Sequence, residues 1–204
     1  MQQKNRSQKP DFMLTSSFLI TMPSISETWG TEPQERRLGF PCDGIIADAD
    51  AEVYRGLTIN ADAKTLFRWL CQMRVAPYSY DWIDNFGRQS PQQLTPGLDN
   101  LVVGQDVMRI FTLVAFEPDR HLTIRVKPRS DALKMFGDFA VCYLIAPLVA
   151  PHANSCRLLV KLVVKYPNGF KGRIMRALLP WGDLIMMRRQ LLNLKRLAER
   201  AEQK

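Results

Sequence analysis

From Gly104 onward the chain reads as a run of strands that ends in one long helix. This order limits the possible folds more than any other feature. Residues 106–116 make one or two strands closed by Pro118. Residues 121–127 alternate, with Leu122, Ile124 and Val126 opposite Thr123, Arg125 and Lys127. Pro128, which cannot donate to a ladder, ends that strand. Residues 138–148 form another. Residues 156–166 form a long one, with Leu158, Val160, Leu162 and Val164 on one face and Arg157, Leu159, Lys161, Val163 and Lys165 on the other. Strands grouped together and set apart from helices indicate an α+β fold rather than a βαβ alternation.

Pro167-Asn168-Gly169 is a turn, and residues 172–179 are helix-like. Pro180-Trp181-Gly182 predicts a kink or interruption, because proline lacks an N–H and crowds the preceding turn. Asp183 is then placed to cap a final helix over 184–201. Leu184, Met187, Leu191, Leu194 and Ala198 fall on one face of that helix. A curved antiparallel sheet needs a cover for its inner face. This helix supplies one, with a cavity expected between sheet and helix.

Upstream, residues 52–60 alternate as a half-buried strand in which Gly56 marks a bulge or a close backbone approach. Asn60 or Asp62 caps a helix over 62–73, carried by Leu66, Phe67, Leu70 and Met73 and stopped by Pro77. Residues 80–86 read as a second short helix ended by Gly87, and 89–100 as a loop. Residues 1–36 are polar, with scattered proline and serine, and read as a flexible or loosely docked extension, part of 12–20 resting on the domain. Lys4, Arg6 and Lys9 before the apolar 12–22 loosely imitate a signal peptide, but Asp11 and a Thr/Ser-rich interior argue against secretion.

The stretch 67–91 is the richest in chemistry. Tyr78, Tyr80, Trp82, Asp81, Asp84, Asn85 and Arg88 lie within eleven positions. Such groups line small-molecule pockets. They equally knit a buried corner, with the aromatics in the core and the acids capping a short helix or pairing with Arg74 and Arg88. Asp81, Asp84, Tyr80 and Arg109 are the acid–base and polarising candidates, and Trp69, Tyr78, Tyr80, Trp82, Arg88 and Met187 the ligand-binding ones. Arg109 and Lys161 fall on strands, where the expected orientation is outward and salt-bridged.

Several chemistries lack their residues. His121 and His152 are isolated, so no metal is expected. Gly-x-Ser-x-Gly, Gly-x-Gly-x-x-Gly and Walker patterns are absent, and no cofactor is expected. The four cysteines show no pairing pattern and read as buried thiols of a reducing, cytoplasmic compartment, Cys71 as filler. No apolar run is long enough for a membrane span. Of the net charge of +8, residues 171–204 hold nine Lys/Arg against three Asp/Glu. The basic face from Arg188 to Arg200 lacks interleaved aromatics, so specific nucleic-acid binding is not expected; it reads as solvated, with weak contact to anionic membrane as a further use. Nothing in the sequence specifies an oligomer.

Asn60-Ala61-Asp62, the helix Phe67-Arg68-Trp69-Leu70-Cys71-Gln72-Met73, the segment Tyr78-Ser79-Tyr80-Asp81-Trp82-Ile83-Asp84-Asn85 and the Leu179-Pro180-Trp181-Gly182-Asp183-Leu184 run together resemble the SRPBCC superfamily. These are START-like, polyketide cyclase/dehydrase-type helix-grip proteins, and the Tyr-Ser-Tyr-Asp-Trp segment looks like a poorly characterised bacterial branch. The resemblance covers residues 40–199. It implies a single helix-grip domain over 37–204, with a curved antiparallel sheet wrapped around the C-terminal helix. It also implies a hydrophobic small-molecule ligand of lipid, polyketide or aromatic type, with residues 78–88 as the cavity mouth. The alternative it implies is a cyclase, dehydratase or hydrolase acting on such a ligand. A fold of this kind hosts many functions, so the site must decide.

Overall fold

The computed structural model describes residues 23–148 and 154–203. The expected docking of part of 12–20 lies outside the described residues. In chain order come α1 (Ile25–Thr28), a 3-10 turn (Glu35–Arg37), β1 (Ala51–Ile59), α2 (Ala63–Cys71), a second 3-10 turn (Gln72–Arg74) and α3 (Asp81–Asp84). There follow β2 (Asp106–Val107), β3 (Phe111–Glu117), β4 (His121–Val126), α4 (Asp131–Phe136), β5 (Asp138–Pro147), β6 (Cys156–Lys165) and α5 (Gly169–Glu202). The six strands form one antiparallel sheet in the order β1-β6-β5-β4-β3-β2. With α2 and α5 packed on one face, this is the α+β helix-grip arrangement.

Strand alternation assigns the two faces. Val53, Ile59, Leu113, Leu122, Ile124, Val141, Tyr143, Leu158, Val160, Leu162 and Val164 point to the covered side. There they meet Leu66, Phe67, Leu70 and Met73 of the helical corner and Met187, Leu191, Leu194, Leu197 and Ala198 of α5. Each Val, Leu, Ile, Phe or Met side chain so removed from water contributes about 1.5–3 kcal/mol. The opposite face carries a smaller cluster in which Tyr54, Ala140, Cys142, Leu159 and Val163 pack under Phe40, Cys42 and Ile46. Lys161 faces this outer side and is salt-bridged, as expected. It is nonetheless buried, its ammonium 2.7 Å from Asp43 and 2.8 Å from Glu52.

Local chemistry sets the element ends. Asp62 caps α2, its Oδ1 accepting the Thr65 N–H at 2.6 Å. The 106–116 region divides into two strands because Met108 and Arg109 both take left-handed φ (46° and 63°), which reverses the chain. The sequence pattern did not disclose α4, which Ser130 caps and Gly137, at φ 94°, ends.

The helix at the C-terminus differs from expectation. It runs unbroken for 34 residues through Pro180, and Asn168, not Asp183, stands at its N-cap. Tertiary contacts override the local signal at Pro180. Arg55, on the covered face of β1, donates from Nη2 to the Pro180 carbonyl at 3.2 Å and to Asp183 Oδ2 at 2.7 Å. The sheet therefore holds the helix at Pro180 and in the turn that follows it. Asp183 serves as the counter-ion of a buried guanidinium. Burial raises its carboxyl above the ordinary value while Arg55 pulls it back. The same Nη2 binds the Ser26 carbonyl at 2.8 Å, so α1 is fastened at this point too.

The segment after α1 crosses the sheet at Gly56, whose N–H donates to the Trp29 carbonyl at 3.0 Å. A side chain there would come within 2.7 Å of the Gly30 carbonyl oxygen, so this glycine marks a close backbone approach. Arg157 then holds Glu35, with Nε–Oε1 at 2.6 Å. Its guanidinium keeps the Glu35 carboxyl below its ordinary value.

Candidate functional site

The corner between α2 and α3 is shaped by Pro77, which stops the helix, and by Tyr78, a buried non-glycine residue at φ 56°. Holding a tyrosine in this left-handed region costs energy that surrounding contacts must supply. Three bonds to α5 do so. Gln190 Nε2 donates to the Pro77 carbonyl at 2.6 Å, Asn193 Nδ2 to the Tyr78 carbonyl at 2.8 Å, and Ser79 Oγ to the Met186 carbonyl at 3.1 Å. The Tyr78 ring meets Trp69 edge to face, with centroids 6.2 Å apart.

Behind this corner, polar groups enter an otherwise apolar interior. Tyr143 on β5 donates its hydroxyl to Gln190 Oε1 at 2.8 Å. Met187 Sδ lies 3.9 Å from the same hydroxyl, and Met108 Sδ 3.5 Å from Gln190 Nε2. Burial pushes the phenols of Tyr143 and Tyr78 upward, so both remain neutral donors. Trp69 Nε1 and Tyr78 Oη are buried with no hydrogen-bond partner among the described residues. The space between sheet and α5 is otherwise occupied by side chains of the main core.

Two hollows stand out, both on the outside of the corner. One, of about 190 Å³, is lined by Val75, Ala76, Pro77, Asp84, Asn85, Arg88, Gln89, Pro91, Met108 and Arg109. The other, of about 270 Å³, lies between α2 and the following loop, along Arg68, Gln72 and the segment from Leu94 to Asp99.

The structure brings three of the sequence-derived candidates, Asp84, Arg88 and Arg109, to the wall of the first hollow. Asp84 Oδ1 is buried without a partner among the described residues, and burial raises its carboxyl. Arg109 is not on a strand as expected. It occupies the exposed β2–β3 turn, its guanidinium 5.1 Å from the Phe86 ring. The other candidates go elsewhere. Asp81 accepts the Ser90 N–H at 2.9 Å and its hydroxyl at 2.5 Å, closing the loop behind α3. Tyr80 lies beneath Arg189, 5.9 Å from its ring centroid. Trp82 is 74% exposed. Trp69, Tyr78 and Met187 are in the core, reaching the corner from within.

Gln190 and Tyr143 were missed by reading the sequence. A glutamine flanked by Leu191 and Met187 on an amphipathic helix falls beside the apolar face, and the signal available was that one polar residue interrupts it. The Arg55–Asp183 pair was likewise invisible, since its members are 128 residues apart.

No protein-family model matches this chain, and no curated protein matches it in sequence. Solved structures do match. A protein from Arthrobacter aurescens aligns over 76% of this chain and 92% of its own, with 12% identity and a TM-score of 0.49. The di-domain ARO/CYC protein StfQ of the steffimycin biosynthetic pathway aligns over 75% of this chain and 52% of its own, with 10% identity and a TM-score of 0.47. A norcoclaurine synthase from Thalictrum aligns over 74% and 96%, with 12% identity and a TM-score of 0.43. At such scores and identities neither ligand nor reaction transfers from them to this chain.

Proposed function

We propose that this protein binds a hydrophobic small molecule, of lipid, polyketide or aromatic type, between the sheet and α5, admitted through the corner formed by residues 78–88. The observation that carries the reading is the pair of buried donors, Trp69 Nε1 and Tyr78 Oη, on touching rings inside the apolar interior and without partners among the described residues. An orphaned buried donor costs about 1–3 kcal/mol, and a guest with an acceptor removes that cost. Met108 and Met187, soft and unbranched, flank the Gln190 amide and can repack around an incoming molecule. The hollow outside Met108 is the approach. In this reading the packed interior is the closed form, and entry moves Met108 and the corner.

Native mass spectrometry of the purified protein, with extraction of any co-purifying molecule, tests the proposal. A bound mass of hydrophobic character is expected, weakened when Tyr78→Phe and Trp69→Phe remove the two donors. An empty protein whose Tm no lipid, polyketide or aromatic compound shifts would end it.

One observation favours the alternative, an enzyme of cyclase, dehydratase or hydrolase type. Asp84, with its raised carboxyl, shares a hollow with Arg88 and Arg109, a set able to hand over a proton beside a stabilised anion. Turnover of such a ligand that Asp84→Asn abolishes without changing its affinity would support this reading. Binding with no product formed removes it.

A further inference from the structure

The outward side of α5 carries a second apolar stripe, separate from the one that covers the sheet. Phe170, Ile174, Leu178, Trp181 and Ile185 follow at steps of four, four, three and four residues. All five are exposed, from 38% to 71%. The stripe is about 22 Å long at 1.5 Å per residue. Scattered exposed hydrophobic residues need no explanation, but a contiguous row along one helix face does.

Its borders are basic. At 3.6 residues per turn, Lys171 and Arg189 fall along one edge and Arg173 and Arg188 along the other. Within residues 169–190 the only acid is Asp183, and it is turned inward onto Arg55. On the neighbouring corner, tied to α5 by Ser79 and by Arg189 over Tyr80, Trp82, Ile83 and Phe86 are also exposed. A row of large apolar side chains with tryptophan and phenylalanine, bordered by cations, is the composition of a helix that lies in a membrane interface. No helix among the described residues is long and apolar enough to cross a membrane.

We propose that this face of α5 docks on an anionic lipid surface, the apolar stripe entering the headgroup boundary and the bordering Lys and Arg pairing with lipid phosphates. Charge selects this occupant over a second copy of the chain. A two-fold contact would bring the same cations of both copies together along its edges, whereas anionic headgroups neutralise them. The proposed surface shares only Arg188 and Arg189 with the basic face read in the sequence at Arg188 to Arg200, and rests on the apolar stripe. In that region Lys195 pairs with Glu199 at 2.5 Å, and Arg196 and Arg200 donate to Gln92 at 2.8 and 2.7 Å. It does not depend on the small-molecule reading.

The test is co-sedimentation of the full chain with vesicles of phosphatidylcholine alone and of phosphatidylcholine mixed with phosphatidylglycerol. Binding to the mixed vesicles only, weakening as NaCl is raised, is expected. Leu178→Asp with Trp181→Asp should lower that binding at least about tenfold. Lys171→Ala and Arg173→Ala should each lower it about fivefold. Circular dichroism melting checks that the variants fold, which such exposed positions allow. Absence of binding by the wild type, or equal binding by the double variant, overturns the proposal. So does a wild-type dimer that the double variant converts to monomer, which would give the stripe to a second copy. Increased proteolysis within residues 1–22 of the double variant, without vesicles, would give it to the chain's own terminus and overturn the proposal equally.

Discussion

The two halves of α5 have similar amphipathic patterns and opposite fates. In the C-terminal half, Leu184, Met187, Leu191, Leu194 and Ala198 turn inward and are buried against the sheet and the helical corner. In the N-terminal half, Phe170, Ile174, Leu178 and Trp181 turn outward and stay exposed. Between them, at Pro180 and Asp183, Arg55 grips the helix from β1. Periodicity thus marks a stripe without naming its partner. The first half of α5 meets the main core through Met175 and Leu179, on a different face from its exposed stripe.

Four substitutions or conditions break or sharpen this contrast. Arg55→Ala leaves Asp183 without its partner and should cost about 3–5 kcal/mol in chemical denaturation. Arg55→Ala with Asp183→Ala should recover part of that loss, and an unchanged midpoint for the single variant would show that the grip is idle. Leu194→Ala, in the buried half, should cost about 2–5 kcal/mol, depending on how far the cavity collapses.

Acid should loosen the halves unequally. Asp50 accepts the Tyr166 N–H at 2.9 Å and a bond from Arg176 of the outer half at 3.2 Å, the backbone bond foremost in holding its carboxyl below 3.8. A depressed folded pKa stabilises above the unfolded value and is lost as pH falls through the folded one. Hydrogen exchange corrected for intrinsic rates should therefore show residues 169–179 losing protection below pH 3.8 before residues 184–198 do. The smallest effect belongs to Leu178→Ser, expected within about 0.5 kcal/mol of the wild type without lipid. A loss as large as that at Leu194 would mean that the outer stripe has a partner within the folded chain.

Where a signal was local, the sequence disclosed it. The strands of residues 121–127, 138–148 and 156–166, a cap at Asn60 or Asp62, the stop at Pro77 and the inward stripe from Leu184 to Ala198 all follow from period and turn chemistry within about ten residues. Pro180 misled for the opposite reason. Its local penalty is real, and contacts from β1 override it. The sequence leaves residues 106–116 open between one strand and two, because Met108 and Arg109 reverse the chain in left-handed backbone without glycine or asparagine. In the candidate site, the position of Asp84, Arg88 and Arg109 at one hollow depends on that same reversal. The inner polar line from Tyr143 through Gln190 to the Pro77 carbonyl joins three distant segments, and no short-range pattern encodes it.

The strand order has a consequence for how the chain is made. β1 lies beside β6, with Ile59 opposite Cys156, so the first strand synthesised finds its neighbour only after nearly all the others exist. On a ribosome adding about 5–20 residues per second, β1 would wait on the order of 10 s with an unmet edge. Its earliest lasting contacts are with what precedes it, α1 and the Trp29 carbonyl that accepts the Gly56 N–H. The N-terminal segment covers the outer edge of β1, opposite β6, so the edge that awaits β6 is met by β6 alone.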